Sequence, residues 1–337
     1  MKKLGVIILN WNGLKLLQEF IPIASRFTQG EEVDLIVADN GSTDSSVEWL
    51  RRNHPEVKVI ELSKNYGFAE GYNRAIELAI DPSTGKPYPF ILLLNSDVEV
   101  KEGWWQPLLS FMEANPDVGA AQPKIKSYRQ RDMFEYAGAA GGYLDRLGYP
   151  YCRGRLFDSI EKDEGQYDGE PIDICWASGA ALIVRTDLYR KLGGLDPKFF
   201  AHMEEIDLCC RMHAAGYRVC AISDSEVYHV GGASLNQGNP QKTYLNFRNN
   251  LLLLHKNLPK DIGKRKLFIR RLADTLAFFM FCAKFDFPNA KAILKAHSDF
   301  RKMRKDYTTY PDRDTLSALP GAQRNIIIDR YLLRKKK

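Results

Sequence analysis

Short, largely apolar runs that end abruptly in small polar residues recur along the first third of the chain. Leu4 to Leu9 runs into Asn10-Trp11-Asn12-Gly13, Val33 to Ala38 into Asp39-Asn40-Gly41-Ser42-Thr43-Asp44, and Phe90 to Leu94 into Asn95-Ser96-Asp97. Such runs are too short for a buried helix and predict strands covered on both faces. Val57 to Leu62 predicts another strand. Between them lie the amphipathic stretch from Leu14 to Phe20, a segment through Trp49-Leu50 that Ser42, Thr43 or Asp44 can cap, and a segment opening at Asn65-Tyr66-Gly67 and reaching Ile80; each predicts a helix. Strands and helices alternating at this spacing predict a parallel, doubly wound sheet with right-handed crossovers.

Open sheets of this kind bind ligands beyond the carboxyl ends of their strands. Asp39 and Asp97 are therefore candidate ligand-binding carboxylates, although each also suits a plain turn or a helix cap. Gly67 and Gly71, followed by Asn73 and Arg74, would let a ligand approach the backbone closely. Their spacing matches neither a dinucleotide fingerprint nor a P-loop.

Further along, Gln106 to Asn115 predicts a helix, with Pro107 suited to its first turn, and Val118 to Ile125 follows. Residues 127–172 are rich in Gly, Tyr and Arg and show no period; they predict an insertion facing an acceptor or an irregular connection. In Cys175-Trp176-Ala177-Ser178-Gly179, Gly179 would leave room for a ligand and Trp176 could stack on a sugar or pack the core. A helix starts near Glu204 and stops before Gly216. Acidic residues in a first turn gain ~0.3–1 kcal/mol from the helix dipole, which would also keep a catalytic carboxylate ionised at neutral pH. Asp207 and Arg211 are spaced to pair along that helix. Val219 to Ile222 predicts a short strand, and His229, ahead of Gly231-Gly232, is a candidate metal ligand.

Composition changes this picture mainly at the C-terminal end. Over 337 residues the net charge is +6, yet residues 242–337 hold 23 Lys and Arg against 8 Asp and Glu, while residues 1–241 hold 25 against 34. Basic residues interleaved with Phe and Leu, as in Lys264-Arg265-Lys266, Arg270-Arg271, the Leu276 to Ala283 run and Arg334 to Lys337, suit a helix on an anionic leaflet or a solvated helical appendage. No reading motif accompanies the charge, so nucleic acid is not an expected partner. The apolar run from Leu276 to Ala283 falls far below the ~20 residues of a spanning helix. The first strand does not resemble a signal-peptide core with a cleavage site. Six cysteines without a CxxC pair fit buried thiols in a reducing cytoplasm. The expected location is therefore cytoplasmic, with peripheral contact at the inner membrane.

The ordered set Val6 to Asn12, Val37 to Asp44, Asn65 to Ala69, Leu94 to Asp97, Gly193 to Asp196, Glu204 to Leu208 and His229 to Gly232 resembles the family 2 glycosyltransferases of the GT-A fold, especially their bacterial rhamnosyltransferase-like branch. The resemblance implies a Rossmann-like, mostly parallel α/β domain over residues 1–240, with a nucleotide-sugar half at about 1–100, an acceptor and catalytic half at about 101–240, and a helical basic extension over 241–337. It implies donor contacts from Asn10, Asp39, Asn65, Gly67, Asn73, Asn95, Ser96 and Asp97, and acceptor contacts from Trp176 and Gly179. Asp97 and His229 would hold a divalent cation, Mg2+ or Mn2+. The second acid of the Glu204-Glu205 pair would be the general base.

Two positions depart from the family pattern. Asn95 stands where the metal motif usually begins with Asp, and Glu205 stands where the base is usually Asp, one methylene shorter. The implied reaction is an in-line displacement with inversion. It moves a sugar from a nucleotide-diphosphate donor, deoxythymidine-diphosphate rhamnose by resemblance, to a hydroxyl of a saccharide or lipid-linked acceptor. Two rivals are a catalytically inactive sugar- or membrane-binding relative and a sugar nucleotidyltransferase; the latter would want a Gly-rich basic loop after the first strand, which Asn10-Trp11-Asn12-Gly13 is not.

Overall fold

The computed structural model describes residues 2–231 and 238–332, so Gly232 and Arg334 to Lys337 lie outside the described residues. The first half follows the expected alternation. It runs β1 (Leu4–Asn10), α1 (Leu14–Phe27), β2 (Val33–Asp39), α2 (Ser46–Asn53), β3 (Lys58–Glu61) and α3 (Phe68–Leu78). A small hairpin, β4 (Ile80–Asp81) and β5 (Lys86–Pro87), precedes β6 (Phe90–Leu94), β7 (Val98–Val100), α4 (Gln106–Ala114) and β8 (Val118–Ser127). Asp44, one of the three proposed caps, accepts from Ser46 N at 3.1 Å at the start of α2.

Where the sequence shows no period, four strands of two or three residues form a separate antiparallel sheet: β9 (Gly142–Leu144), β10 (Pro150–Cys152), β11 (Arg155–Leu156) and β12 (Ser159–Ile160). Strands that short carry too few alternations for a period to register. Then come β13 (Ile172–Asp173), β14 (Ala181–Arg185), α5 (Thr186–Lys191), α6 (Glu204–Ala214), β15 (Arg218–His229), α7 (Pro240–Asn257), α8 (Lys260–Ala283) and α9 (Phe287–Met303). The polar triplet Ser223-Asp224-Ser225, which reads as a strand end, is instead a register shift between Ile222 and Glu226 inside one 12-residue strand.

The main sheet has the order β13-β15-β8-β14-β6-β1-β2-β3, with β7 paired to β15. β6, β1, β2 and β3 are parallel, as expected, and β14 runs antiparallel to both β6 and β8. Alternate residues of β1 serve opposite faces, as a strand's pleat requires. Ile7 joins a core with Tyr72 of α3, Leu208 of α6 and Leu182 of β14, whereas Val6 and Ile8 join Leu17 of α1, Leu50 of α2 and Leu108 of α4. Leu251 to Leu254 of α7, Leu267 of α8 and Phe300 of α9 belong to the first of these cores. The segment from 241 onward is helical as far as Met303, as expected, and mostly irregular over the described residues beyond it; its first helix is built into the sheet's own core. All six cysteines are free thiols, five of them buried.

Candidate active site at the carboxyl edge of the sheet

Strand register brings the polar strand ends together. Asn10 lies opposite Asp39, and Ile8 opposite Leu94, so the loops after β1, β2 and β6 emerge side by side. Asn10 Nδ2 donates to Asp39 Oδ1 at 2.9 Å, and Ser42 N donates to Asp39 Oδ2 at 2.8 Å. These bonds fix the orientation of a carboxylate that is otherwise buried. Asn40 Nδ2 donates to Asn65 Oδ1 at 3.1 Å and to Gly67 O at 3.0 Å, and Gly67 N donates to Asn65 Oδ1 at 2.7 Å. Asn65 thus shapes the loop that opens α3, and Gly67 faces the Phe200 ring. Ser96 lies half-buried between Asn95 and Asp97.

The pairing of β7 with β15 sets Val98 opposite His229 and so carries the imidazole to Asp97 from a distant part of the chain. His229 Nε2 lies 3.2 Å from Asp97 Oδ1 and 3.5 Å from Asn95 Nδ2, while Nδ1 lies 3.6 Å from Glu135 Oε2. Burial pulls the His229 pKa down, but the bonds and charges of Asp97 and Glu135 outweigh it and carry it up to about 10. Burial raises the Asp97 carboxyl, yet the bond to His229 leaves it below its ordinary value.

With the imidazole neutral, the two carboxylates leave an excess of negative charge that a dication would offset. Two cis ligands of an octahedral ion with ~2.1 Å bonds sit about 3 Å apart, close to the spacing of Asp97 and His229. Glu135 stands where a carboxylate orients a metal-binding imidazole. The donor set therefore fits a divalent cation. Among the described residues no cluster of three or more His, Cys, Asp and Glu side chains is placed to hold a metal. The remaining ligands would have to come from substrate phosphate and water.

The acidic pair sits at the start of α6 beyond a strained turn. Phe200, His202 and Met203 have φ of 67°, 67° and 73°, a region costly for residues with side chains. The turn is held from α7. Asn249 Nδ2 lies 2.9 Å from Phe199 O, 2.9 Å from Ala201 O and 2.7 Å from His202 O, and Arg248 Nη2 donates to Phe199 O at 2.8 Å. Asn249→Ala should therefore destabilise the fold by about 2–3 kcal/mol, since buried carbonyls lose their donor. It should also lower turnover more than donor affinity, as the acidic pair loses its position. Urea denaturation and a split of kcat from KM check this; unchanged values of both would contradict it.

Glu204 is buried and Glu205 half-buried, and the Oε2 atom of each lacks a hydrogen-bond partner. Burial pushes the Glu205 carboxyl up to about 7, against the opposing pull of the helix backbone. Burial, joined by the charge of Glu205, raises Glu204 as well. The helix dipole does not outweigh burial here, whereas the sequence led to the expectation that the dipole would lower the base's pKa and keep it ionised at neutral pH. A Cβ built on Gly179 would lie 3.8 Å from Glu205 Cβ and 3.7 Å from the Phe68 ring. The next residue, Ala180, accepts from Asn95 N at 3.0 Å. The acidic pair and the Asn95–Asp97 loop are thus neighbours at one edge.

Two expected contacts have other uses. Trp176 is core: its indole N–H donates to Tyr143 O at 2.9 Å, and its ring lies so close beneath Gly142 that a Cβ there would meet it at 2.2 Å. Asn73 holds the turn before α6, donating to Leu195 O at 2.8 Å and accepting from Tyr189 OH at 2.6 Å. Asp207 pairs with Arg211 as the spacing implies, Nε to Oδ2 at 2.9 Å, and also with Lys256 Nζ of α7 at 2.8 Å.

Sequence reasoning missed Glu135, Arg248 and Asn249. Glu135 lies in the patternless region and has no local signal. The polar run Arg248-Asn249-Asn250 directly before Leu251 to Leu254 was a usable one, because polar residues inside a buried helix need partners.

The profile of Glycosyl transferase family 2 matches residues 5–183. The N-acetylglucosaminyl-diphospho-decaprenol L-rhamnosyltransferase of Mycobacterium tuberculosis is 28% identical over 239 residues, 67% of this chain and 75% of that protein. The Staphylococcus aureus TarS 1–349 structure in complex with UDP-GlcNAc superposes with a TM-score of 0.57 at 17% identity, covering 89% of this chain and 80% of that one. The GalNAc-T7 structure with UDP, GalNAc and Mn2+ gives a TM-score of 0.58 at 14% identity over 76% of this chain, which spans about half (48%) of it. These structural likenesses establish a common fold.

Proposed function

The chain belongs to glycosyl transferase family 2 and is a glycosyltransferase, and from that premise we propose that it is a metal-dependent, inverting enzyme that transfers a sugar from a nucleotide-diphosphate donor to a hydroxyl of a saccharide or lipid-linked acceptor. The observation that carries this reading is the meeting of Asp97 and His229, 3.2 Å apart, with the Glu204–Glu205 pair across the Asn95–Ala180 bond. Deoxythymidine-diphosphate rhamnose is the proposed donor and a polyprenyl-diphosphate-linked sugar the proposed acceptor class; the name of the mycobacterial relative supports the rhamnosyl group and the acceptor class. Residues 1–100 supply the donor side, residues 101–240 the base and acceptor side, and the basic helices bring the enzyme to the cytoplasmic face of an anionic membrane.

In this reading Asp39, fixed by Asn10 and Ser42, receives the base or ribose. Asp97 and His229 would hold a divalent cation, Mg2+ or Mn2+, with Glu135 orienting the imidazole. When bound, that cation supplies charge neutralisation for the departing diphosphate. Glu205, packed against Gly179, accepts the proton of the acceptor hydroxyl as the hydroxyl attacks the sugar from the face opposite the diphosphate. A carboxylate suffices because the sugar carbon is cation-like when attacked and the proton can leave late. A screen of sugar nucleotides for hydrolysis and thermal stabilisation tests the reading. One donor should be hydrolysed with Mg2+ or Mn2+ and left intact with a chelator; hydrolysis indifferent to the ion would overturn the metal dependence.

A further inference from the structure

Nine of the fourteen large apolar side chains exposed among the described residues fall between Phe268 and Leu294. On α8 they are Phe268, Ile269, Leu272, Leu276, Phe279 and Met280, a spacing that places all six within about a third of the helix circumference. Phe285 and Phe287 continue the face around the turn into α9, and Phe285 is 80% exposed. Phe285 also has a φ of 58°, an unfavourable conformation for a bulky side chain that leaves its ring outside the core. The opposite face of α8 is fixed: Leu267 enters the main core, and buried Arg270 pairs with Asp274 and stacks on Tyr149 at 3.7 Å. The exposed face is thus a built feature of an anchored helix.

We propose that α8 and the turn into α9 form a docking face for an anionic lipid bilayer, lying in the interface with the apolar stripe turned toward the acyl chains. Charge selects the occupant. Lys264 and Arg271 border the stripe along one side, Arg265 lies at its N-terminal end, and Lys284 and Lys291 flank the aromatic turn. Among the described residues Arg265, Arg271, Lys284 and Lys291 have no carboxylate partner. Beside the stripe, sharing Phe268 and Arg271 with it, opens a cleft of about 690 Å3 lined by Lys260, Lys264, Arg304 and Lys305, which suits headgroup phosphates. A second copy of the chain would set two basic rims against each other, an arrangement that charge disfavours. No helix among the described residues is long and apolar enough to cross a membrane, and a helix with one apolar face and basic flanks suits the plane of the interface. The inference deepens the reading of a lipid-linked acceptor and rests on it for its purpose, but the lipid contact itself does not depend on the donor or the base.

The test is co-sedimentation of the whole protein with phosphatidylcholine vesicles, with and without phosphatidylglycerol. The protein should bind the anionic vesicles at low salt and bind pure phosphatidylcholine weakly. The variant Phe279→Ser/Phe285→Ser/Phe287→Ser should bind the anionic vesicles at least about tenfold more weakly, because large apolar contacts are lost. Its thermal midpoint and its hydrolysis of donor in vesicle-free solution should match the parent protein, which separates failure of docking from failure of the transferase reading. Absence of parent binding to anionic vesicles, or equal binding by the variant, would overturn the proposal. So would a dimer in sedimentation velocity that the same substitutions dissolve, because the face would then belong to a second copy.

Discussion

Replacing Asp97 with asparagine should lower sugar transfer by about a thousandfold or more, the loss expected when stabilisation of a departing diphosphate is removed. Asp97 Oδ1 lies 3.2 Å from His229 Nε2, and in the proposed reading its charge would draw a dication to that point. Asparagine keeps the shape, so the packing of β6 and β7 should survive. The variant also removes one of the two carboxylates that hold the His229 pKa near 10, leaving Glu135 alone. The His229 pKa should fall, and the weakened pair should cost about 1–3 kcal/mol of stability, too little to explain the lost turnover if the domain remains folded. Initial rates alongside circular dichroism separate the two effects. A folded variant with normal turnover would exclude Asp97 from the metal site.

The second large effect belongs to Glu205. Glu205→Gln should leave donor affinity unchanged and lower kcat by about 10²–10⁴, the usual contribution of a positioned general base. The pH dependence follows from burial, which raises the Glu205 carboxyl to about 7. Below that value the group is protonated and cannot accept a proton, so kcat/KM of the parent protein, which reports the groups of the free enzyme, should fall as pH drops through about 7 and level off above it. The variant should lose that inflection. Glu204→Gln serves as the control: Glu204 is the more buried of the two acids, and its charge acts on buried Tyr189. Full activity in Glu205→Gln together with loss in Glu204→Gln would move the base by one residue.

Much of the architecture was legible because apolar runs and polar stops coincide in this chain. Leu4 to Leu9, Val33 to Ala38 and Phe90 to Leu94 became β1, β2 and β6; parallel register brought Asn10 against Asp39 and made the loop that carries Asp97 emerge from the neighbouring strand. His229 was legible only as a lone histidine ahead of paired glycines, a weak signal that the motif resemblance strengthened. Its partner Glu135 was not legible, since their proximity depends on the pairing of β7 with β15 and on the short-stranded region after β8. Trp176 and Asn73 show the opposite failing, in which chemically suitable residues are engaged by Tyr143 and Leu195 inside the fold. Composition indicated a basic tail but not that Leu251 to Leu254 would enter the main core. The protonation of Glu205 was misjudged because a dipole is legible in sequence and burial is not.

The central claim is that one divalent cation sits between Asp97 and His229 and meets the donor's diphosphate there. Its most direct test is the anomalous difference density of a crystal grown with Mn2+ and the nucleoside diphosphate selected by the donor screen. A single strong peak is expected within bonding distance of Asp97 Oδ1, His229 Nε2 and the diphosphate oxygens. A bound nucleotide with the peak elsewhere, or with no peak, would contradict it.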